Sequence, residues 1–334
     1  MTFIHQQSAH CESGVMSSLL TNAGFPISEP MVFGLSSALA FAYLPIVKLN
    51  GMPLIAYRMP PKHIINTLNK RLGLNIQSQR FSQVKAGQQA LDQALAKQQA
   101  VGLQTSVFWL PYFPAEMRFH FNAHNLLVYG KEHNNYLISD PVFEDVVQCD
   151  VVALNKARFA KGALAPKGLM YTLGNTPAEP NWPVLIRQSI KATSRILDGL
   201  PLPWIGVRGI FHLAKKIEQL DPSAIKYNRL YLTHIVRMQE EIGTGGAGFR
   251  FMYASFLQEA ADKLNEAMLH DAANKMTLIG DGWRGFASLL VQYCKAKQAT
   301  PDFAQLAAAL RQLAQQEREL MQQLAAWSKT PVKA

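Results

Sequence analysis

The chain has 334 residues, 49% of them hydrophobic and 17% charged, with 33 basic against 23 acidic side chains and a net charge of +10. That length exceeds what one core ordinarily serves, so two domains are expected, and the apolar content excludes a disordered or fibrous chain. The cysteines are three, an odd number; no basic, apolar and small-residue leader pattern opens the chain, and no uncharged run reaches the roughly 20 residues of a membrane span, so the expectation is a reduced, cytoplasmic protein with no membrane span.

In chain order, the first helix-like stretch runs through Val15-Met16-Ser17-Ser18-Leu19-Leu20 to Asn22-Ala23-Gly24 and places Cys11 in its first turn. Leu35 to Val47 is apolar but short and contains Pro45, which reads as a buried helix or strand of the N-terminal core. Asn125 to Gly130 and Tyr136 to Ser139 are short β-type runs separated by the polar stretch Lys131 to Asn135, the pattern of a β-hairpin. His124 starts the first strand and Asp140 follows the second, so antiparallel pairing makes them neighbours. Turn formers from Gly174 to Pro183 mark a linker between a strand-rich and a helix-rich half, giving domains over 1–175 and 184–330. Beyond it, Val184 to Leu197 and Ile205 to Leu220 are helical in pattern. A last helix starts at Thr300-Pro301-Asp302 and carries Phe303, Leu306, Leu310, Leu313, Leu320, Leu324 and Trp327 at alternating spacings of three and four. Glu317 interrupts that seam, which argues for packing inside the domain or a short homodimer contact over a long coiled coil, with packing inside the domain the plainer account.

A thiol is only slightly ionised at neutral pH, so a nucleophilic cysteine needs a base and a third group to orient that base. Cys11 at a helix start, His124 and Asp140 supply these in the chain order of papain-like enzymes, with the helix dipole favouring thiolate. Cys149, after Val146-Val147, and Cys294, at the end of an apolar run, have no such setting and read as packing residues. The residue six before Cys11 is His5, where papain-like enzymes usually place a glutamine that helps hold the oxyanion. Gln6 or Gln7 could serve, or the Cys11 N–H with a different side chain. His120 and His124 have the spacing of helical zinc ligands but enter a β-run without the acidic partner, so no metal site is expected and His120 reads as a pocket residue or a local hydrogen-bonding group.

His10-Cys11 through Gly24, Ser28-Glu29, Val32-Phe33-Gly34-Leu35, Leu110-Pro111-Tyr112, His120 to His124 and Ser139-Asp140-Pro141 together resemble the butirosin biosynthesis protein H family. Gly243-Thr244-Gly245-Gly246, Phe249-Arg250, Tyr253-Ala254, Phe256-Leu257, Glu259-Ala260 and Trp283-Arg284 are similar to the helical domain that often follows in it. The resemblance implies an α+β fold, a papain-like cysteine-protease-type N-terminal domain followed by an all-α C-terminal domain. The family's founding activity, acyl transfer from an acyl carrier protein onto an amine, implies Cys11 as acyl-accepting nucleophile, His124 as base and Asp140 as its orienter. No cofactor is then expected beyond the phosphopantetheine arm delivered on the carrier.

Residues 184–237 hold nine Lys/Arg against three acids, and Arg187, Lys191, Lys215 and Lys216 are candidates for docking an acidic carrier. A solvated helix face is the plainer account of the same charges. No aromatic-interleaved basic motif accompanies them, which speaks against nucleic acid. Gly243 to Gly248 satisfies G-x-G-x-x-G, but a helix rather than a strand precedes it, so a helix-to-helix turn is expected, with N–H groups at the following helix start as a candidate phosphate site. The expected function is an acyltransferase moving an acyl group from a carrier thioester to a small-molecule amine or hydroxyl in secondary-metabolite or lipid-like biosynthesis. A papain-type cysteine hydrolase, peptidase or amidase, is the alternative, and a non-catalytic binding protein stands behind both.

Overall fold

The structure, a computed structural model, describes residues 3–49, 51–242, 245–295 and 302–330. Its elements are α1 (Cys11–Asn22), α2 (Glu29–Leu35), β1 (Leu39–Leu49), β2 (Met52–Arg58), α3 (His63–Leu72), β3 (Gln77–Gln79), α4 (Val84–Ala96), β4 (Val101–Thr105), β5 (His124–Glu132), β6 (Asn135–Ser139), β7 (Val147–Asp150), α5 (Val151–Arg158) and β8 (Met170–Thr172). Helices follow: α6 (Trp182–Ser194), α7 (Gly206–Glu218), α8 (Ile225–Glu240), α9 (Arg250–Leu264), α10 (Ala267–Lys295) and α11 (Phe303–Trp327). Two compact units result, Met1–Val32 with Ile64–Pro180, and Phe33–His63 with Asn181–Ala334. The fold class is α+β, with an antiparallel sheet in the first unit and a helical region from α6 onward.

The first unit is built on a six-stranded antiparallel sheet in the order β3-β8-β4-β5-β6-β7. Leu126 and Val128 of β5, Tyr136 and Ile138 of β6, and Leu103 of β4 pack with Leu91 of α4 and Leu154 of α5 into one core. Successive strand residues point to opposite faces, so Asn125 and Leu127 face the other way. Helix α1 packs against β5 and is buried from Cys11 to Leu20, as a helix enclosed on all sides must be. The β5–β6 loop is tighter than its polar stretch suggests. It contracts to His133 and Asn134, with His133 in the left-handed region at φ +52°.

Among the described residues the second unit contains helices α6 to α11 and the β1–β2 hairpin. The apolar run that reads as N-terminal core therefore ends α2 and forms β1. Among the described residues its ladder partner is β2, in a two-stranded sheet separate from the larger one, and α7 covers β1 while α8 covers β2. The seam of α11 is buried from Phe303 to Trp327, and Glu317 lies on it with no exposed surface. Its carboxylate accepts two bonds from the Arg250 guanidinium, 2.8 and 2.9 Å, and one from Trp283 Nε1–H at 2.6 Å. Glu317 thus continues the seam as a paired buried charge, and packing inside the unit explains α11.

Candidate active site

Two carboxylates hold the turn that delivers Cys11. His10 is the N-cap of α1, and its Nδ1 accepts the Ser13 N–H at 3.3 Å. The Glu29 carboxylate accepts the backbone N–H groups of Ala9 and His10 and the Ser13 hydroxyl, each at 2.8 Å. Burial pushes the Glu29 carboxyl above its ordinary range, and those donors oppose it. Glu12, fully buried, turns the other way and accepts N–H groups of Ile64 and Ile65 at 3.1 and 3.4 Å, satisfying donors at the start of α3. Cys11 sits between the two clamps, 9% exposed.

The hairpin supplies the other two groups. Leu127 pairs with Ser139 and Val128 with Ile138, so His124 and Asp140 leave the sheet at the same end. His124 Nε2 lies 2.7 Å from Asp140 Oδ2, and both side chains are buried. The Tyr112 hydroxyl donates to the same Oδ2 at 2.9 Å, and the Val142 N–H donates to Oδ1 at 3.1 Å. With Nε2 engaged, Nδ1 is the ring nitrogen left for the hydrogen bond that His124 makes with Cys11. Burial alone would favour the neutral ring, but the Asp140 carboxylate and the bonded Cys11 outweigh it and raise His124 to about 10. An imidazolium beside sulfur is the setting in which a thiolate is stable. The Phe113 ring stands edge-on to His124, centroids 5.5 Å apart, and closes one side of it.

Close approach of α1 to the Asp140 loop depends on Gly14. A Cβ there would lie 2.5 Å from Ser8 Cβ and 2.9 Å from Pro141 Cβ, where the Ser8 N–H donates to the Pro141 carbonyl at 2.8 Å. His5 ties the same loops together, with Nδ1 2.7 Å from Ser139 Oγ and Nε2 3.0 Å from the Phe143 carbonyl.

Residues 152–324 match the family described as domain of unknown function (DUF4872), and residues 10–141 match butirosin biosynthesis protein H, N-terminal. The first match covers more than half of the chain, which belongs to the DUF4872 family, and residues 10–141 are similar to the N-terminal region of butirosin biosynthesis protein H. A crystal structure of a C39-like peptidase from Bacillus anthracis aligns with 52% of this chain and 96% of its own, at 12% identity and a TM-score of 0.37. No curated protein matches the chain. The butirosin biosynthesis protein H region spans α1 to the end of β6 and so includes all three residues of the Cys11, His124, Asp140 row.

Other candidates fall elsewhere. His120 is exposed and stacks on Phe108, centroids 4.0 Å apart, while His124 occupies the place beside Asp140. Gln6 and Gln7 are exposed and line a groove with Ser28, Glu29 and Pro30, and Gln7 Nε2 donates to the Val142 carbonyl at 3.1 Å. Arg187 is engaged at the end of α11, donating to the carbonyls of Trp327 and Thr330 at 2.8 and 3.0 Å and stacking on the Trp327 ring. Lys191, Lys215 and Lys216 are exposed on α6 and α7. Cys149 is buried, and desolvation with the nearby Asp150 pushes its thiol up to about 12. Cys294 accepts the Thr233 hydroxyl at 3.4 Å.

Gly243 and Thr244, like Thr300 and Pro301, lie outside the described residues. The rest of that turn, Gly246 to Phe249, has four successive positive φ values, and the Ala247 N–H donates to the Glu240 carboxylate at 3.1 and 3.2 Å. An internal carboxylate thus takes a donor that a phosphate would need. Among the described residues no three His, Cys, Asp or Glu side chains gather as metal ligands, and no helix is long and apolar enough to cross a membrane. Tyr112, Glu12 and Glu29 escaped the sequence reading as site residues. Each acts through a contact to a distant segment, and none carries a local signal beyond its place in a quoted motif.

Proposed function

We propose that the chain is a cysteine-dependent acyltransferase that takes an acyl group from the phosphopantetheine thioester of an acyl carrier protein and passes it to a small-molecule amine or hydroxyl. The observation that carries this reading is the buried row of Cys11, His124 and Asp140, with His124 hydrogen-bonded to both of the others, inside the stretch that matches butirosin biosynthesis protein H, N-terminal. The acyl-transfer chemistry of that family supports the donor.

The Cys11 thiolate attacks the thioester carbonyl and forms the new C–S bond. Collapse breaks the bond to phosphopantetheine, whose sulfur leaves with the proton from His124 Nδ1. The neutral imidazole then accepts the proton of the acceptor N–H or O–H as that atom attacks the acyl carbon, and Cys11 departs as thiolate. Asp140 keeps the ring oriented through Nε2 and stabilises its charge. The Cys11 N–H at the start of α1 is the backbone candidate for holding the oxyanion, with Gln6 the side-chain candidate not engaged with Val142. A buried thiol limits access of water to the acyl-enzyme, which favours transfer over hydrolysis.

Intact-mass measurement after mixing with carrier proteins bearing acyl chains of graded length tests the reading. Acyl addition to the protein, absent in Cys11→Ala and discharged by an amine but slowly by water, is the expected result. Rapid discharge by water alone, with cleavage of simple amides, makes the protein a hydrolase instead. No loading from any carrier overturns the proposal.

A further inference from the structure

Two surface grooves of the first unit border the segments that lead into the Cys11, His124, Asp140 row. One, of about 540 Å³, is lined by Phe108, Trp109, Pro111, Arg118, Val152 and Lys156, among others. Trp109 is 39% and Val152 59% exposed, and the Lys156 ammonium lies 5.5 Å from the Trp109 ring centroid. Asp150, the carboxylate among its lining residues, is engaged as the N-cap of α5 and accepts the Ala153 N–H at 2.9 Å. Among the described residues neither Arg118 nor Lys156 pairs with a carboxylate.

The second groove, of about 700 Å³, begins where α5 ends, one turn past Lys156. Arg80, Phe81, Phe159, Lys161 and Lys167 line it, with no acid among its lining residues. Its neighbouring loop is anchored by Asn122, two residues before His124, whose Nδ2 donates to the carbonyls of Lys161 and Ala163 at 3.3 and 2.8 Å. Leu164, in the same loop, is 56% exposed. On the other side, Pro111 precedes Tyr112, which touches Asp140, and Phe113, which faces His124.

Five cations over two adjoining grooves, interleaved with exposed aromatic and aliphatic side chains, are matched by a surface rather than by one anionic group. An amphipathic helix with acids flanking its apolar stripe covers the apolar groups and neutralises the cations in one contact. The basic segment 184–237 is less suited. Arg187 is engaged within its own unit, and Glu218, bonded to Arg311, stands among the charges near Lys215.

We infer that these two grooves are the docking face for an acidic amphipathic helix of the acyl carrier protein, placing its thioester arm next to the segments that hold His124 and Asp140. This rests on the carrier-dependent reading above.

The test compares rates of Cys11 loading from an acylated carrier protein and from the same acyl group on N-acetylcysteamine. The proteins are the wild type, Arg118→Glu with Lys156→Glu, and Lys215→Glu with Lys216→Glu. The groove variant is expected to load from the carrier at least about tenfold more slowly, to load from the small thioester within about twofold of wild type, and to show a flattened salt dependence with the carrier. The Lys215 and Lys216 variant is expected to match wild type with both donors. Undiminished carrier use by the groove variant, equal loss with both donors, or a carrier-specific loss confined to the Lys215 and Lys216 variant overturns the docking face while leaving the transferase reading standing. A wild type inert to both donors overturns that reading, and the docking face with it. Arg118→Gln with Lys156→Gln repeats the comparison if the charge-reversed protein does not fold.

Discussion

Asp140 Oδ2 receives two donors, His124 Nε2 at 2.7 Å and the Tyr112 hydroxyl at 2.9 Å, so the tyrosine shares the charge that holds the imidazolium. Tyr112→Phe removes one donor and leaves the carboxylate more basic toward His124. The alkaline limb of the pH–rate profile should move up, with a stability loss of about 1 kcal/mol from the lost hydrogen bond. An unmoved limb would reduce Tyr112 to a packing residue. His124 itself links stability to pH. Its folded value, about 10, lies above the ordinary 6.5, so the folded chain holds this proton more tightly than the unfolded one. The resulting stabilisation is fully present below pH 6.5 and drains away as pH rises toward 10. Thermal unfolding across that window should show a falling midpoint in the wild type and a shallower fall in His124→Gln; equal slopes would locate the effect elsewhere.

At the scale of elements, two close approaches carry the packing. Helix α1 meets the loop after β6 only because Gly14 has no side chain, and Gly14→Ala should destabilise by about 1–3 kcal/mol through overpacking. Because the crowded residues are Ser8 and Pro141, and Pro141 is next to Asp140, Cys11 loading should slow as well. A variant with normal loading and a lowered melting temperature would show that α1 yields rather than the loop. In the second unit, α9, α10 and α11 meet at Arg250, Trp283 and Glu317, all buried. Arg250 also donates to the Gly248 carbonyl at 2.8 Å, which ties the left-handed turn to the same cluster. Glu317→Ala strands the guanidinium, and urea unfolding should report a loss of about 3–5 kcal/mol. A loss below 1 kcal/mol would mean that Arg250 finds another partner or water.

At the scale of the molecule, sequence order and spatial order diverge. The hairpin between residues 33 and 63 belongs to the unit completed by residues 181–334, and the DUF4872 match begins at residue 152, inside the first unit. Truncation after Pro183 therefore leaves Phe41 and Tyr57, which pack on Trp283, with no cover. The truncated protein should bind a hydrophobic dye and lose soluble yield, and removal of the hairpin as well should lessen both effects. A soluble, dye-silent truncation would show that the hairpin is covered without the later helices.

The sequence by itself determined the local pieces. Turn chemistry and alternation place His124 and Asp140 at one end of a hairpin, because strand direction and register are short-range properties. The helix-like run after Cys11 puts it in the first turn of α1, since dipole and N–H groups at a helix start belong to the helix alone. Heptad-like spacing marks the buried face of α11. Tertiary structure decided the rest. Nothing near Glu317 reveals Arg250, 67 residues away, so a buried charge reads as a break in a seam. Neither Glu12 nor Glu29 announces the segment it clamps, and Tyr112 reaches Asp140 across 28 residues. The β1 run is apolar whether it joins the first core or the second, and only its pairing with β2 and its cover by α7 choose. Burial and partnership are sums over distant segments, and local pattern is blind to them for that reason.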